Sequence, residues 1–130
     1  MIESGYLPQK TEIQSNFPAS IEEVVLSGTI VNNINKIWYS KRDIATANKV
    51  MKELDLFDIK NKCFRDLSGG QQQRVLIARA ICATEKVIIL DEPTNGLDPA
   101  ISTQIYEILE RLNKKRGLTV IMVSHDISRA

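Results

Sequence analysis

Three groups of residues in this chain have the types and spacing for chemistry on a phosphate. The first is Asp91-Glu92, which closes the apolar run Val87-Ile88-Ile89-Leu90. A carboxylate at the carboxyl end of a parallel strand lies where open sheets of this kind place their ligands. Asp91 there can hold Mg²⁺ beside nucleotide phosphates, directly or through water. Strand alternation points Glu92 the other way, where it can polarise a water for in-line attack. The second group, Ser68-Gly69-Gly70-Gln71, opens a helical run. The Ser68 hydroxyl can cap that helix. Two residues without Cβ let a phosphate reach the unpaired backbone N–H groups and the positive end of the helix dipole. The third is His125, just past the apolar run Leu118 to Val123, where it could donate a hydrogen bond to a phosphoryl oxygen.

Each group also has an ordinary structural explanation. Asp-Glu-Pro punctuates many strand ends, Ser-Gly-Gly makes a turn and a cap, and a lone histidine is commonly a satisfied structural residue. However, a cap needs one of these residues, and the glycine pair followed by Gln71, Gln72, Gln73 and Arg74 is more than capping requires.

The elements that must position these groups follow from the local patterns. Ser4 to Leu7 is the end of a strand broken by Pro8. Ser20 caps a short helix through Glu22, Glu23, Val24, Val25 and Leu26, with acids in its first turn and Gly28 at its stop. Ser40 and Asp43 form a capping box before a helix whose apolar face is Ile44, Ala47, Met51 and Leu54. A loop from Asp55 to Asp66 leads to a third helix, from Ser68 to about Ala83, burying Val75, Ala78 and Ile81 or Cys82. The runs 87–91 and 118–123 are continuous enough to be parallel strands covered on both faces. Between them, Pro99 starts a helix with apolar Ile101, Ile105, Ile108 and Leu112, a basic last turn and Gly117 as its stop. The expected fold is therefore α/β: a helical segment at 12–85, and a parallel-sheet segment made of 1–11 and 86–130.

Composition excludes several function classes. At 130 residues the chain suits one domain with one core. A net charge of +1 gives no electrostatic footprint for nucleic acid. Cys63 and Cys82 lie in no C-x-x-C pair and His125 has no second histidine, so two reduced thiols in a cytosolic protein are expected. No apolar run approaches the ~20 residues of a membrane span, and residues 1–10 carry no signal-peptide pattern.

Taken in order, the motifs are specific. Gly5-Tyr6-Leu7-Pro8-Gln9, Leu67-Ser68-Gly69-Gly70-Gln71, Ile88-Ile89-Leu90-Asp91-Glu92-Pro93, Gly96-Leu97-Asp98-Pro99 and Ser124-His125-Asp126 occur in one sequence. This order resembles the ATP-binding cassette (ABC) ATPases, from their glutamine loop to their switch histidine, and covers nearly the whole chain. The resemblance implies a partial P-loop NTPase fold, a helical subdomain plus part of the parallel-sheet core, with ATP and Mg²⁺ as cofactors of the complete protein. It implies Gln9 as the glutamine-loop residue contacting Mg²⁺. Ser68, Gly69, Gly70 and Gln71 become the signature motif, binding the γ-phosphate of an ATP held by the opposite subunit. Asp91 becomes the aspartate on Mg²⁺, Glu92 the general base, Leu97 and Asp98 the loop crossing the dimer interface, and His125 the switch histidine. Phe17 to Gly28 is similar to the stretch after the glutamine loop in zinc and manganese importers. The implied partners are a transmembrane permease, a second ATP-binding subunit in a homodimer and, indirectly, a solute-binding protein. No nucleic acid is expected. The implied location is cytoplasmic, peripheral on the inner face of the cell membrane. A docking module without catalysis and a soluble ABC-type ATPase of DNA repair or translation are the competing readings. Against the second stand the short 12–85 segment and the absence of a basic patch.

The 130 residues contain no G-x-x-x-x-G-K-[ST] loop, the element that cradles the β- and γ-phosphates in such ATPases. A polypeptide of these residues alone is therefore expected not to bind ATP measurably. Calorimetric titration with Mg-ATP should give no saturable heat, and a micromolar affinity would contradict this reading.

Overall fold

Three serines start three helices by the same local device. The computed structural model describes residues 4–7, 18–32, 38–84 and 86–124. Ser20 caps α1 (Ile21–Ser27), Ser40 caps α2 (Lys41–Glu53) and Ser68 caps α3 (Gly69–Ala83). Each hydroxyl accepts the N–H three residues on, and the side chains of Glu23, Asp43 and Gln71 in turn accept the cap's own N–H. Such a box satisfies two orphan donors at once, and losing its serine costs about 1 kcal/mol. The fourth helix, α4 (Pro99–Arg116), is capped by Asp98, carries proline at its first position, and stops at Gly117 with a left-handed φ of 65°.

The strands β1 (Ser4–Leu7), β2 (Val87–Asp91) and β3 (Thr119–Val123) form one parallel sheet in the order β1-β2-β3. Register pairs Leu7 with Leu90, and Asp91 with Val123. The chain leaves β1 for the helical segment, returns through α3 to the central strand, and crosses by α4 to β3. The carboxyl end of β2 therefore lies between two neighbouring strands, where parallel sheets gather ligand groups.

Helix α3 joins the two parts. It packs against α1, α2, β1 and α4, and Val75, Leu76, Ile77, Ala78, Ala80, Ile81 and Ala83 are all buried. The core continues through Ile21, Val25, Val50, Met51, Leu54 and Phe64 on one side and Ile88, Leu90, Ile105 and Leu112 on the other.

Four local expectations need correction. Gly28 does not end α1 in a left-handed turn: its φ is −62°, and the chain runs on into a 3-10 turn, Gly28–Asn32. A Cβ at residue 28 would collide with the Arg79 carbonyl of α3, so close helix packing is what requires glycine there. The apolar face of α2 is Ala47, Val50, Met51 and Leu54, while Ile44 at its start is 42% exposed. The 55–66 loop contains two 3-10 turns, Phe57–Ile59 and Phe64–Asp66, and a bridge from Cys63 to Ser20. Strand β3 is not covered on both faces: Ile121, Met122 and Val123 are 46%, 50% and 37% exposed, since among the described residues little packs over that part of the sheet. In β2, Ile88 and Leu90 are buried while Val87, Ile89 and Asp91 are only partly covered. Both cysteines are free. Burial pushes the Cys82 thiol up to about 12, which leaves it a packing group and not a nucleophile.

A long-range ion pair locks the far end of α4 to α2. Arg116 donates from Nε and Nη2 to both Glu53 carboxylate oxygens, at 2.8 and 2.9 Å, and Arg111 Nη2 reaches the Glu53 carbonyl at 2.9 Å. The Arg116 hydrogen bonds hold the Glu53 carboxyl below its ordinary value. A carboxylate with a depressed folded-state pKa adds stability above its unfolded pKa, and that stability is lost as pH falls through the folded value. Glu53→Gln should therefore lower unfolding stability by about 1–3 kcal/mol at pH 7. The difference from the unmodified chain should shrink as the pH drops below about 4. Denaturant titrations at pH 7 and pH 3 check this.

Candidate functional site

Two element ends meet the conditions for phosphate chemistry, the start of α3 and the carboxyl end of β2. At the start of α3, Ser68 is exposed at the cap position, with Gly69 and Gly70 at the first two helical positions. Backbone N–H groups at those positions have no intrahelical acceptor and point out along the helix axis. The helix is long enough, at 15 residues, for its dipole to favour an anion there. The Ser68 Oγ accepts the Gln71 N–H at 3.2 Å, which fixes its rotamer and leaves its own proton available for donation.

The glutamines that exceed capping requirements in the sequence have structural jobs. Gln71 closes the capping box through Oε1 at 3.0 Å. Gln72 is buried and donates from Nε2 to the Phe64 carbonyl at 3.1 Å, tying the helix start to the preceding 3-10 turn. Arg74 Nη2 donates to Gln104 Oε1 of α4 at 3.2 Å.

At the end of β2, Asp91 is the last strand residue, aligned with Val123 on β3. Glu92 lies beyond the strand. Its φ is 48°, so a left-handed turn, not the pleat, sets its direction. That corrects the alternation argument while keeping two adjacent carboxylates with different orientations. The Glu92 N–H donates to the Val123 carbonyl at 2.8 Å, so the turn is fastened to β3. Two further turns follow, Asn95 N–H to the Glu92 carbonyl and Leu97 N–H to the Thr94 carbonyl, both 3.1 Å, with Gly96 at φ 79°. This path delivers Asp98, whose Oδ1 accepts the Ile101 N–H at 2.9 Å as the cap of α4. A cleft of about 540 Å³ opens here, lined among others by Glu92, Asn95, Leu97, Ser102, Tyr106 and Ser124.

The structure thus gathers Glu92 and Leu97 at one cleft, sets Asp91 and Asp98 at its flanking elements, and places Ser68–Gln71 at a helix start that abuts α4. Gln9 and His125 lie outside the described residues. Among the described residues no group of three or more His, Cys, Asp or Glu is placed to hold a metal by itself. Asp91 instead suits a cation that takes its other ligands from phosphate and water, the donor pattern of Mg²⁺. The Glu92 turn carries no periodicity signal, so sequence reasoning could not place it; a carboxylate followed by proline was the only hint of the turn.

A parallel sheet with carboxylates at the end of its central strand, together with a helix that opens on two glycines, defines an α/β class of protein. The ABC transporter family model matches residues 2–95, and the chain belongs to that family. It is 41% identical, over 95% of its length, to a "probable metal transport system ATP-binding protein" of Chlamydia muridarum, covering 51% of that protein. It is 35% identical to the zinc uptake system ATP-binding protein ZurA of Listeria innocua, over 97% of this chain and 49% of that one. In three dimensions it matches a metal-chelate type ABC transporter solved in an inward-facing conformation, with a TM-score of 0.85 and 34% identity. That match covers 95% of this chain and 49% of the other. The chain spans about half the length of the relatives it matches.

The Asp98 cap should be measurable without any ligand. Asp98→Ala should lower stability by about 1 kcal/mol, whereas Asp98→Asn, which keeps an acceptor at the cap, should cost far less. Thermal unfolding of the two variants tests this, and equal losses would argue against the Asp98 cap.

Proposed function

We propose that these residues are part of the ATP-binding subunit of an importer, which couples ATP hydrolysis to uptake of a divalent metal such as zinc or manganese. The observation that carries this reading is the paired geometry above. A capped helix start offers two glycine N–H groups to an anion, and the central strand ends in Asp91 and a separately oriented Glu92. The printed functions of the relatives, metal transport and zinc uptake, support the cargo.

In the complete protein, Ser68, Gly69, Gly70 and Gln71 serve the γ-phosphate of an ATP bound by a second copy. Developing negative charge in phosphoryl transfer is spread over equatorial oxygens, and preorganised N–H donors stabilise it with little reorganisation. Asp91, with Gln9, would hold Mg²⁺, which would supply charge neutralisation at the phosphates. Glu92 orients and deprotonates the attacking water, Leu97 and Asp98 cross to the other copy, and His125 contacts the γ-phosphate. The helical segment, 12–85, meets a transmembrane permease. Ile30, Trp38, Tyr39 and Ile44 are apolar and exposed there, Trp38 at 81%, and they support that docking role. A solute-binding protein delivers the metal to the permease. The subunit works in the cytoplasm, peripheral on the inner face of the cell membrane; among the described residues no helix is long and apolar enough to cross a membrane.

In the complete protein, Glu92→Gln should abolish ATP hydrolysis while ATP-dependent dimers persist. Phosphate release and gel filtration with Mg-ATP are the measurements, and ordinary turnover by the variant would remove Glu92 from the role of base.

A further inference from the structure

We propose that Ile101 is a positioning residue that sets the spacing between the start of α3 and the start of α4, and that Gly70 is glycine in order to admit it. The role assigned to the α3 start rests on the function proposed above; the packing does not.

A Cβ built at residue 70 would lie 2.7 Å from Ile101 Cγ2, with the Ile101 Cβ and Cδ1 at 3.9 Å. Carbon atoms do not approach that closely, so any side chain at 70 must push the two helices apart or turn Ile101 out. Phosphate access gives one reason for a glycine pair; the methyl of Ile101 gives Gly70 a second reason that needs no ligand. Ile101 is a good spacer because its Cβ branching stiffens χ1 in a helix. Its Cγ2 therefore moves with the backbone of α4.

The same residue carries the cap. The Ile101 N–H is the group that Asp98 Oδ1 accepts at 2.9 Å. Its side chain packs at the edge of the core, and Pro99 two residues earlier fixes the helix entry. One turn along, Arg74 reaches Gln104, so residues 70 and 74 of α3 meet residues 101 and 104 of α4. These spacings put both contacts on one face of each helix. The Ser68 and Asp98 caps are thus braced against each other through Gly70 and Ile101. A displacement of the Leu97-Asp98 loop passes to the Ser68-Gly69 turn through a stiff contact, and the reverse holds equally.

The test is a double-mutant cycle on the 130-residue chain with Gly70→Ala, Ile101→Leu and both. Leucine keeps the volume and moves the branch from Cβ to Cγ, so Cγ2 is gone. Gly70→Ala alone should lower the melting midpoint by about 5 °C. In the Ile101→Leu background the same change should be neutral or stabilising, since alanine is the better helix former. Amide exchange supplies the readout that a general packing defect would not move. Gly70→Ala should speed exchange at Gln71 and Ile101, the two cap donors, by about tenfold while core amides of β2 change little. The double variant should restore both. Equal midpoint losses in the two backgrounds, or exchange that rises uniformly, would overturn the proposal. ATP turnover by the complete protein is scored separately. An unmodified complete protein that hydrolyses no ATP would overturn the proposed function, and the exchange result would still decide the role of Ile101.

Discussion

Helix α3 has no exposed residue along its 15 positions, and the rest of the molecule depends on that constraint. With nine of its residues buried and the other six partly covered, the helix cannot turn or slide without opening a gap, because protein interiors are close-packed. Its neighbours are α1, α2, β1 and α4, so it couples the helical segment to the sheet. Its two ends have different tasks. The carboxyl end runs into Thr84 and then the central strand, while the amino end presents Ser68, Gly69 and Gly70. The placement of the Ser68-Gly69-Gly70 turn is thereby set by the burial of Val75, Ile77, Ala78 and Ile81, residues outside the candidate site.

The carboxyl end of β2 shows how strain and function share a position. Glu92 has a left-handed φ without being glycine, a conformation that costs about 1–3 kcal/mol unless its surroundings hold it. Three backbone hydrogen bonds in the six residues 92–97 do so, the first of them to β3. As a result, Asp91 remains in the sheet while Glu92 leaves it. Two carboxylates one residue apart can then serve different purposes, one at a cation and one at a water. Asp98 follows within the same run of turns and begins α4, so the groups assigned to the nucleotide are spaced by turn geometry and not by loop length.

Much of this was legible in the sequence wherever the information was local. Capping residues, the Pro99 start, the Gly117 stop and the apolar runs of β2 and β3 each follow from one residue's relation to the next few. Contacts between distant segments were not legible. Nothing near Glu53 announces Arg116, and nothing in Ser-Gly-Gly announces Ile101. Gly28 reads as a helix stop because glycine has two uses, positive φ and close approach, and the sequence does not say which applies. For β3, an apolar run reports what a strand can bury, not what covers it. Of the site, the motif order named the candidate residues, while the Glu92 turn and the work of Gln72 came from the three-dimensional structure.

In the function proposed above, Ser68 acts on a nucleotide held by another copy, whereas Glu92 acts on its own copy's nucleotide. Linked dimers of the complete protein separate the two directly. In one, Ser68→Arg and Glu92→Gln sit in the same copy; in the other, each copy carries one of them. If the signature turn works across the dimer, the split arrangement keeps one intact site and measurable ATP turnover, and the same-copy arrangement has none. Turnover by the same-copy dimer with none from the split dimer would contradict the claim.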